Sequence, residues 1–332
     1  MKEYLNILFN GNSLNSEQAE IVMNYIIEGK YSNEQISAFL GALRARGEKV
    51  EEIVGFVRAM RKKAVKIDID NKHLIDVCGT GGDGKNTFNI STASAFVIAA
   101  SGIPVAKHGN RAISSKCGST DVLSALGIKT DFSAEKIPNI INEIGIAFLA
   151  APIFHPAMKS VAPIRQSLGV KTVFNLLGPL CNPTGLKRQV IGVYDQKLTS
   201  ILANALKELG SEEVIIVSSD DGMDEVSLSA KTEISHLKEN KVYSYTISPE
   251  DFGFNFSDEN LEGGTPEENA EIIYNILKGE KSAKRDIVIM NASTALVVSG
   301  LVKNLKLGVK IASEAIDSGK ALNKLEQLRK IS

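Results

Sequence analysis

LIDVCGTGGDGKNTFNISTASAFVIAASG (residues 74–102) decides the fold. LIDVC (74–78) is a short apolar run of the kind a buried strand makes, and TASAFVIAASG (92–102) has helical length and composition. Between them, Gly79, Gly81, Gly82 and Gly84 fall within six residues. The loop fits two phosphate-binding patterns. Gly79, Gly81 and Gly84 form the dinucleotide pattern G-x-G-x-x-G, and Gly79, Gly84 and Lys85 form most of a P-loop. Neither pattern is completed. A dinucleotide loop runs straight into its helix and wants an acid about 20 residues on, yet no Asp or Glu occurs between Gly84 and Thr120. A P-loop needs Ser or Thr after its lysine, where this chain has Asn86, and Asp83 would face the phosphates. What survives is general. Glycines let backbone approach a ligand closely. Asn89, Ser91 and Thr92 sit where N-cap residues belong, and a helix N-terminus attracts anions. The acid-free run adds Lys85, Lys107, His108, Arg111 and Lys116, a local positive field.

The chain on either side reads as two kinds of structure. SEQAEIVMNYIIEG, SNEQISAFLGALRARG and EEIVGFVRAMRKKA carry apolar residues at helical spacing, the second opening on a Ser32–Gln35 capping box. From residue 74, short apolar runs at 74–78, 103–106, 147–151, 190–194, 214–219 and 287–290 alternate with helical segments. That alternation predicts an α/β fold with a central, mainly parallel sheet flanked by helices. Residues 226–256 read as a β excursion, and the tail as helices. Residues 155–185 are helical, then rich in Gly and Pro, and can cross back to the N-terminal helices. The expected organisation is a small all-helical domain, 1–65 plus about 165–185, and a large α/β domain, 70–164 plus 188–332.

Composition narrows the function. A net charge of −1 over 332 residues gives no reason to expect nucleic acid or a membrane surface as partner. The three cysteines, Cys78, Cys117 and Cys181, form no CxxC pair, which fits a reduced cytoplasmic setting. The N-terminus does not look like a signal peptide, and no apolar run is long enough to span a bilayer.

Three further stretches bear on chemistry. KHGNRAISSKCGSTD (107–121) follows a strand, where open α/β sheets bind ligands, and offers cations, hydroxyls and glycine backbone. Two such loops make a cradle for a diphosphate and a second phosphate. DDGMDE (220–225) carries four acids at a third strand end and is a candidate Mg²⁺ site opposite that cradle. Arg165 lies among apolar residues and needs a carboxylate or phosphate partner. From the residues alone, an internal salt bridge is the simpler reading. No Ser–His–Asp order or HExxH appears, and the four histidines do not cluster by spacing. The implied chemistry is positioning and charge stabilisation, with no protein nucleophile or obligate base.

DVCGTGGDGKNTFNIST, VAKHGNRAISSKCGSTDVLSALG, HPAMKSVAPIRQSLGVKTVFNLLGPLCNP and DGMDEVS together resemble the anthranilate phosphoribosyltransferase family over essentially the whole chain. The resemblance implies a nucleoside phosphorylase/phosphoribosyltransferase-like fold and a homodimer formed through the helical domain, which also carries the anthranilate side. It implies transfer of the phosphoribosyl group of 5-phosphoribosyl diphosphate to anthranilate, the second step of tryptophan biosynthesis from chorismate, with Mg²⁺. It also allows for association with anthranilate synthase.

Carried over by motif, Gly79, Gly82, Asp83 and Thr87 match the phosphoribosyl diphosphate loop, as do Asn89, Ile90, Ser91 and Thr92. Lys107, His108, Gly109, Asn110, Arg111, Ala112, Ile113, Ser114, Ser115 and Ser119 match the second phosphate loop. Ser91, Asp224 and Glu225 match magnesium ligands; Gly79, Asn110 and Arg165 match anthranilate contacts. Ser124 stands where the family pattern has Glu, and Cys181 is unusual within GPLCNP; neither is a ligand position. A pyrimidine nucleoside phosphorylase would read more like KxSGRGLGHTGGT in the second loop. Arg165 and Asn110 argue against a paralogue using another amine. A nucleic-acid-binding relative would want a basic stripe that the charge does not supply.

Overall fold

The computed structural model describes residues 1–112 and 116–332. Four helices open the chain: α1 (Lys2–Phe9), α2 (Ser16–Ile27), α3 (Asn33–Arg46) and α4 (Val50–Lys63). The Ser32–Gln35 capping box forms, with Ser32 Oγ accepting from the Gln35 amide at 3.4 Å and Gln35 Oε1 from the Ser32 amide at 3.2 Å. Gly55 lets α4 touch α2, since a Cβ there would overlap the Ser16 carbonyl and lie 2.6 Å from Ala19 Cβ. Glu52 is fully buried yet satisfied. It accepts from the Leu14 and Lys49 amides, each at 3.0 Å, and both oxygens meet Arg46 Nη2 at 2.6 Å.

The sheet strands are β1 (Ile75–Gly79), β2 (Val105–Gly109), β3 (Ile146–Ala150), β4 (Arg188–Gly192), β5 (Glu213–Ser219), β6 (Thr232–Lys238) and β7 (Lys241–Ile247). Their order is β3-β2-β1-β4-β5-β6-β7. The first five in that order run parallel, and β6 and β7 add an antiparallel hairpin, the expected β excursion. Connecting helices are α5 (Ile90–Ala100), α6 (Ser119–Ala125), α7 (Ile137–Ile144) and α11 (Lys197–Glu208). After β3 come α8 (Ala151–Phe154), a 3₁₀ turn, α9 (Ala162–Leu168) and α10 (Val173–Leu180). The chain closes with α12 (Pro249–Phe252), α13 (Pro266–Lys278), α14 (Ala283–Val298), α15 (Leu305–Asp317) and α16 (Lys320–Lys330).

Period-2 alternation splits the core between the two faces of the sheet. On β5, Ile215 and Val217 pack with α5 and α14, while Val214 and Ile216 pack with α11 and the helical bundle. Ile164 of α9 and Val173, Leu176 and Leu177 of α10 join that second cluster, alongside Phe39, Phe56 and Met60. One expected strand is a helix. IVIM (287–290) lies inside α14, buried on all sides. A four-residue apolar run has no period of its own; Ser282 caps the helix N-terminus and no Gly or Pro interrupts it before Val298. No helix among the described residues is long and apolar enough to cross a membrane.

Candidate active site

A cleft of about 580 Å³ opens above the C-terminal ends of β1 and β2, walled on the far side by α9 and α10. The loop after β1 turns through left-handed glycines, with φ of +64° at Gly81 and +78° at Gly82. Gly79 is required by close approach, because a Cβ there would lie 2.5 Å from Asp224 Oδ2. The Gly81 amide donates to that same oxygen at 2.7 Å, so Asp224 pins the loop's first turn. Asp83 is not free to face a ligand with both oxygens. Its Oδ1 accepts from the Lys85 amide at 3.1 Å and its Oδ2 from the Asp224 amide at 3.4 Å. Gly82, Asp83 and Thr87 all line the cleft.

The helix start differs from expectation. Asn89 holds the N-cap position, but its side chain does not cap α5. Its Nδ2 donates to the Cys117 carbonyl at 3.2 Å and its Oδ1 accepts from Asn269 Nδ2 at 3.1 Å, tying the first loop to the second. The helix begins at Ile90, which places Ser91 and Thr92 in its first turn. Thr92 Oγ1 is buried in the cleft wall without a hydrogen-bond partner among the described residues. The Ser91 amide faces Glu225 and favours its charged form.

The second loop is folded on itself. Ser119 Oγ accepts from the Asn110 amide at 3.1 Å and donates to the Asn110 carbonyl at 3.2 Å. Asp121 staples the loop by accepting from the Ala112 amide at 2.9 Å and the Gly118 amide at 3.0 Å. Lys107, His108, Gly109, Asn110, Arg111, Ala112 and Ser119 line the cleft with Ile90 and Thr92. Ile113, Ser114 and Ser115 lie outside the described residues.

His108 adds no positive charge near neutral pH. Burial pushes its pKa down to about 3, with nearby His155 adding to the shift. His108 Nδ1 meets the Gly178 carbonyl at 3.1 Å. A carbonyl only accepts, so Nδ1 carries the proton and the buried, unpartnered Nε2 is an acceptor. The four histidines do not cluster by spacing along the chain, but the fold brings two of them together. The rings of His108 and His155 stand 5.2 Å apart, and both line the cleft. Sequence reasoning missed His155, as it missed Phe174 and Met158 beside it; a lone His before Pro156 carries no local signal.

Arg165 also lines the cleft. Among the described residues the internal salt bridge does not form: the guanidinium sits 5.7 Å from the Phe174 ring centroid, and burial is what pulls its pKa down. Across the cleft, burial raises the pKa values of Asp224 and Glu225, and acid neighbours raise them further: Asp83 for Asp224, and Asp224 for Glu225. This is a hard-oxygen donor set with surplus negative charge. Among the described residues, no three His, Cys, Asp or Glu side chains converge into a complete metal cage. That suits Mg²⁺, which is held by one or two carboxylates and completes its shell with water and phosphate.

The helical bundle and the mostly parallel α/β domain are the two parts of a glycosyl transferase family. The family models agree: the helical bundle domain of a glycosyl transferase family matches residues 2–64, and its a/b domain matches residues 71–322. The chain is 52% identical to the anthranilate phosphoribosyltransferase of Methanosarcina barkeri, over 99% of this chain and 90% of that one. It is 49% identical to that of Thermoanaerobacter sp., over 99% and 97%. Among solved structures, the Thermus thermophilus anthranilate phosphoribosyltransferase superposes with a TM-score of 0.93 at 40% identity, covering 98% of each chain. The Saccharomyces cerevisiae enzyme, in complex with PRPP and Mg, gives 0.90 at 31%, over 99% and 96%. The chain belongs to the anthranilate phosphoribosyltransferase family.

Proposed function

We propose that the protein transfers the phosphoribosyl group of 5-phosphoribosyl diphosphate to the amine of anthranilate, giving N-(5-phosphoribosyl)anthranilate and pyrophosphate in tryptophan biosynthesis. The observation that carries this reading is one cleft holding two phosphate-type loops, a pair of carboxylates and an arginine without an internal acid. The bond from ribose C1 to the diphosphate oxygen breaks, and a bond from C1 to the anthranilate nitrogen forms. The amine, neutral near pH 7, then loses a proton.

Gly79, Gly82, Asp83, Thr87 and Asn89 to Thr92 shape the diphosphate subsite. Lys107 to Ala112 and Ser119 form the second phosphate subsite, where Lys107 stabilises developing negative charge. Ser91, Asp224 and Glu225 hold Mg²⁺, which when bound supplies neutralisation of the leaving diphosphate. Arg165 takes the anthranilate carboxylate as a charge-assisted pair and, with Gly79 and Asn110, aims the amine at C1. His108 and His155, both neutral, line the same end.

Helices α9 and α10 belong with the N-terminal bundle, so the helical domain is 1–65 plus about 165–185 and brings Arg165 onto the loops when the cleft closes. The bundle also forms the homodimer. Exposed Phe9 and Tyr25, at 67% and 39%, support that face, and sedimentation velocity tests it. Loss of anthranilate fluorescence on adding 5-phosphoribosyl diphosphate and Mg²⁺ tests the activity; no loss with folded protein overturns it.

A further inference from the structure

The sheet is not closed between β1 and β2. These strands share register only at Ile75 and Val105, whereas β1 pairs with β4, and β2 with β3, along five residues. A seam that opens after one rung leaves buried backbone groups of β2 in need of partners. Two side chains supply them. Asp76 Oδ1 accepts from the His108 amide at 3.1 Å. Asn182 Nδ2 donates to the Ala106 carbonyl and to Asp76 Oδ2, each at 2.9 Å. Asn182 Oδ1 accepts from the Thr184 amide at 3.1 Å and its hydroxyl at 2.8 Å, so the amide is oriented from both ends. Asp76 is 0% exposed and Asn182 4%. Lys107 is the cation whose charge steadies the buried carboxylate.

Asn182 also lies just past Cys181, the C-cap of α10. The last carbonyls of a helix lack intrahelical partners, and here three in succession are taken by side chains from other elements. His108 Nδ1 takes Gly178 at 3.1 Å, Gln189 Nε2 takes Pro179 at 2.9 Å, and Arg61 takes Leu180 at 2.9 and 2.7 Å. Neither Asp76 nor Asn182 lines the cleft.

We propose that Asp76 and Asn182 are positioning residues for the transfer: wedged in the open seam, they set the separation of the two substrate loops and register it against the helices that carry Arg165. The role rests on the transferase reading above. The test is steady-state kinetics on both substrates, with thermal denaturation, for Asp76→Asn, Asn182→Ala and the double variant. Ser293→Ala, which removes a remote buried bond to the Leu305 carbonyl at 2.7 Å, is the control.

Each single variant lowers kcat/KM for 5-phosphoribosyl diphosphate by about 10- to 100-fold while folded, since a displacement near 1 Å carries that cost. The larger part falls on KM for that substrate. The double variant is no worse than the weaker single, because the two side chains act as one unit. Ser293→Ala loses thermal stability and keeps its kcat/KM. If a seam variant does not fold, Thr184→Val, which removes only the hydroxyl that orients Asn182, still raises that KM about two- to tenfold, the worth of one neutral hydrogen bond. Wild-type kcat/KM in the folded variants, or independent effects that multiply in the double, overturns the positioning role alone. Absence of turnover by the wild type overturns the transferase reading and this role with it.

Discussion

Replacing Arg165 with Ala separates binding of one substrate from everything else the cleft does. The guanidinium is partly buried against Phe174 and has no carboxylate partner among the described residues. Its desolvation is therefore already met in the folded protein, and a planar carboxylate entering the cleft meets a donor fork that is in place. A hydrogen bond to a charged group is worth about 1.5–3 kcal/mol, so Arg165→Ala should lower kcat/KM for anthranilate by roughly 10- to 150-fold. Stability should hardly move, within about 0.5 kcal/mol, since no ion pair is lost. Arg165→Lys keeps the charge but not the fork and should recover only part of the loss. The assay is anthranilate fluorescence, each substrate varied in turn at saturation of the other. A KM for 5-phosphoribosyl diphosphate that rises as much as that for anthranilate would refute the reasoning, as would a large drop in Tm.

Other predictions follow from single contacts. Gly79→Ala drives a methyl to within 2.5 Å of Asp224 Oδ2 and should cost about 10²-fold in kcat/KM with native far-UV circular dichroism. Asp224→Asn with Glu225→Gln should raise the Mg²⁺ concentration for half-maximal rate; an unchanged titration rejects these two as ligands. The same pair sets a pH signature. Their pKa values are raised in the native state, so that state holds more protons than the unfolded one, and the stability they confer at low pH is lost as pH rises from the ordinary carboxylate range through the raised values. Thermal scans without Mg²⁺ should show that decline in the wild type and a flatter profile in the double variant. Glu52→Ala strands Arg46 and the amides of Leu14 and Lys49, and should cost about 3–5 kcal/mol in urea denaturation.

The order of elements was legible because the five parallel strands are short apolar runs set between segments of helical length. IVIM misled because a helix buried on all sides looks like a buried strand over four residues. Loops rich in Gly, Ser and Lys after two strands marked the cleft side, and a position on the chain was enough to find them. Other features depended on distant contacts. His108 and His155 meet only because β2 and the segment after β3 end side by side. Asn89 looked like a cap, but its side chain is drawn to the second loop, a preference set by Cys117 and Asn269 far along the chain. Arg165 could be read as half of an internal salt bridge, but its guanidinium stands by the Phe174 ring and meets no carboxylate among the described residues. Asp83, an acid in a glycine loop, accepts from the Lys85 and Asp224 amides, partners that its sequence position does not announce.

In the proposed reaction this cleft joins two substrates by exchanging diphosphate for an amine at one carbon. It is tested most directly by following both products of a single reaction: N-(5-phosphoribosyl)anthranilate by mass spectrometry and pyrophosphate by a coupled assay. Equal amounts of each are expected, dependent on anthranilate, 5-phosphoribosyl diphosphate and Mg²⁺. Pyrophosphate released at the same rate without anthranilate, or no ribosylated anthranilate from folded protein, would contradict it.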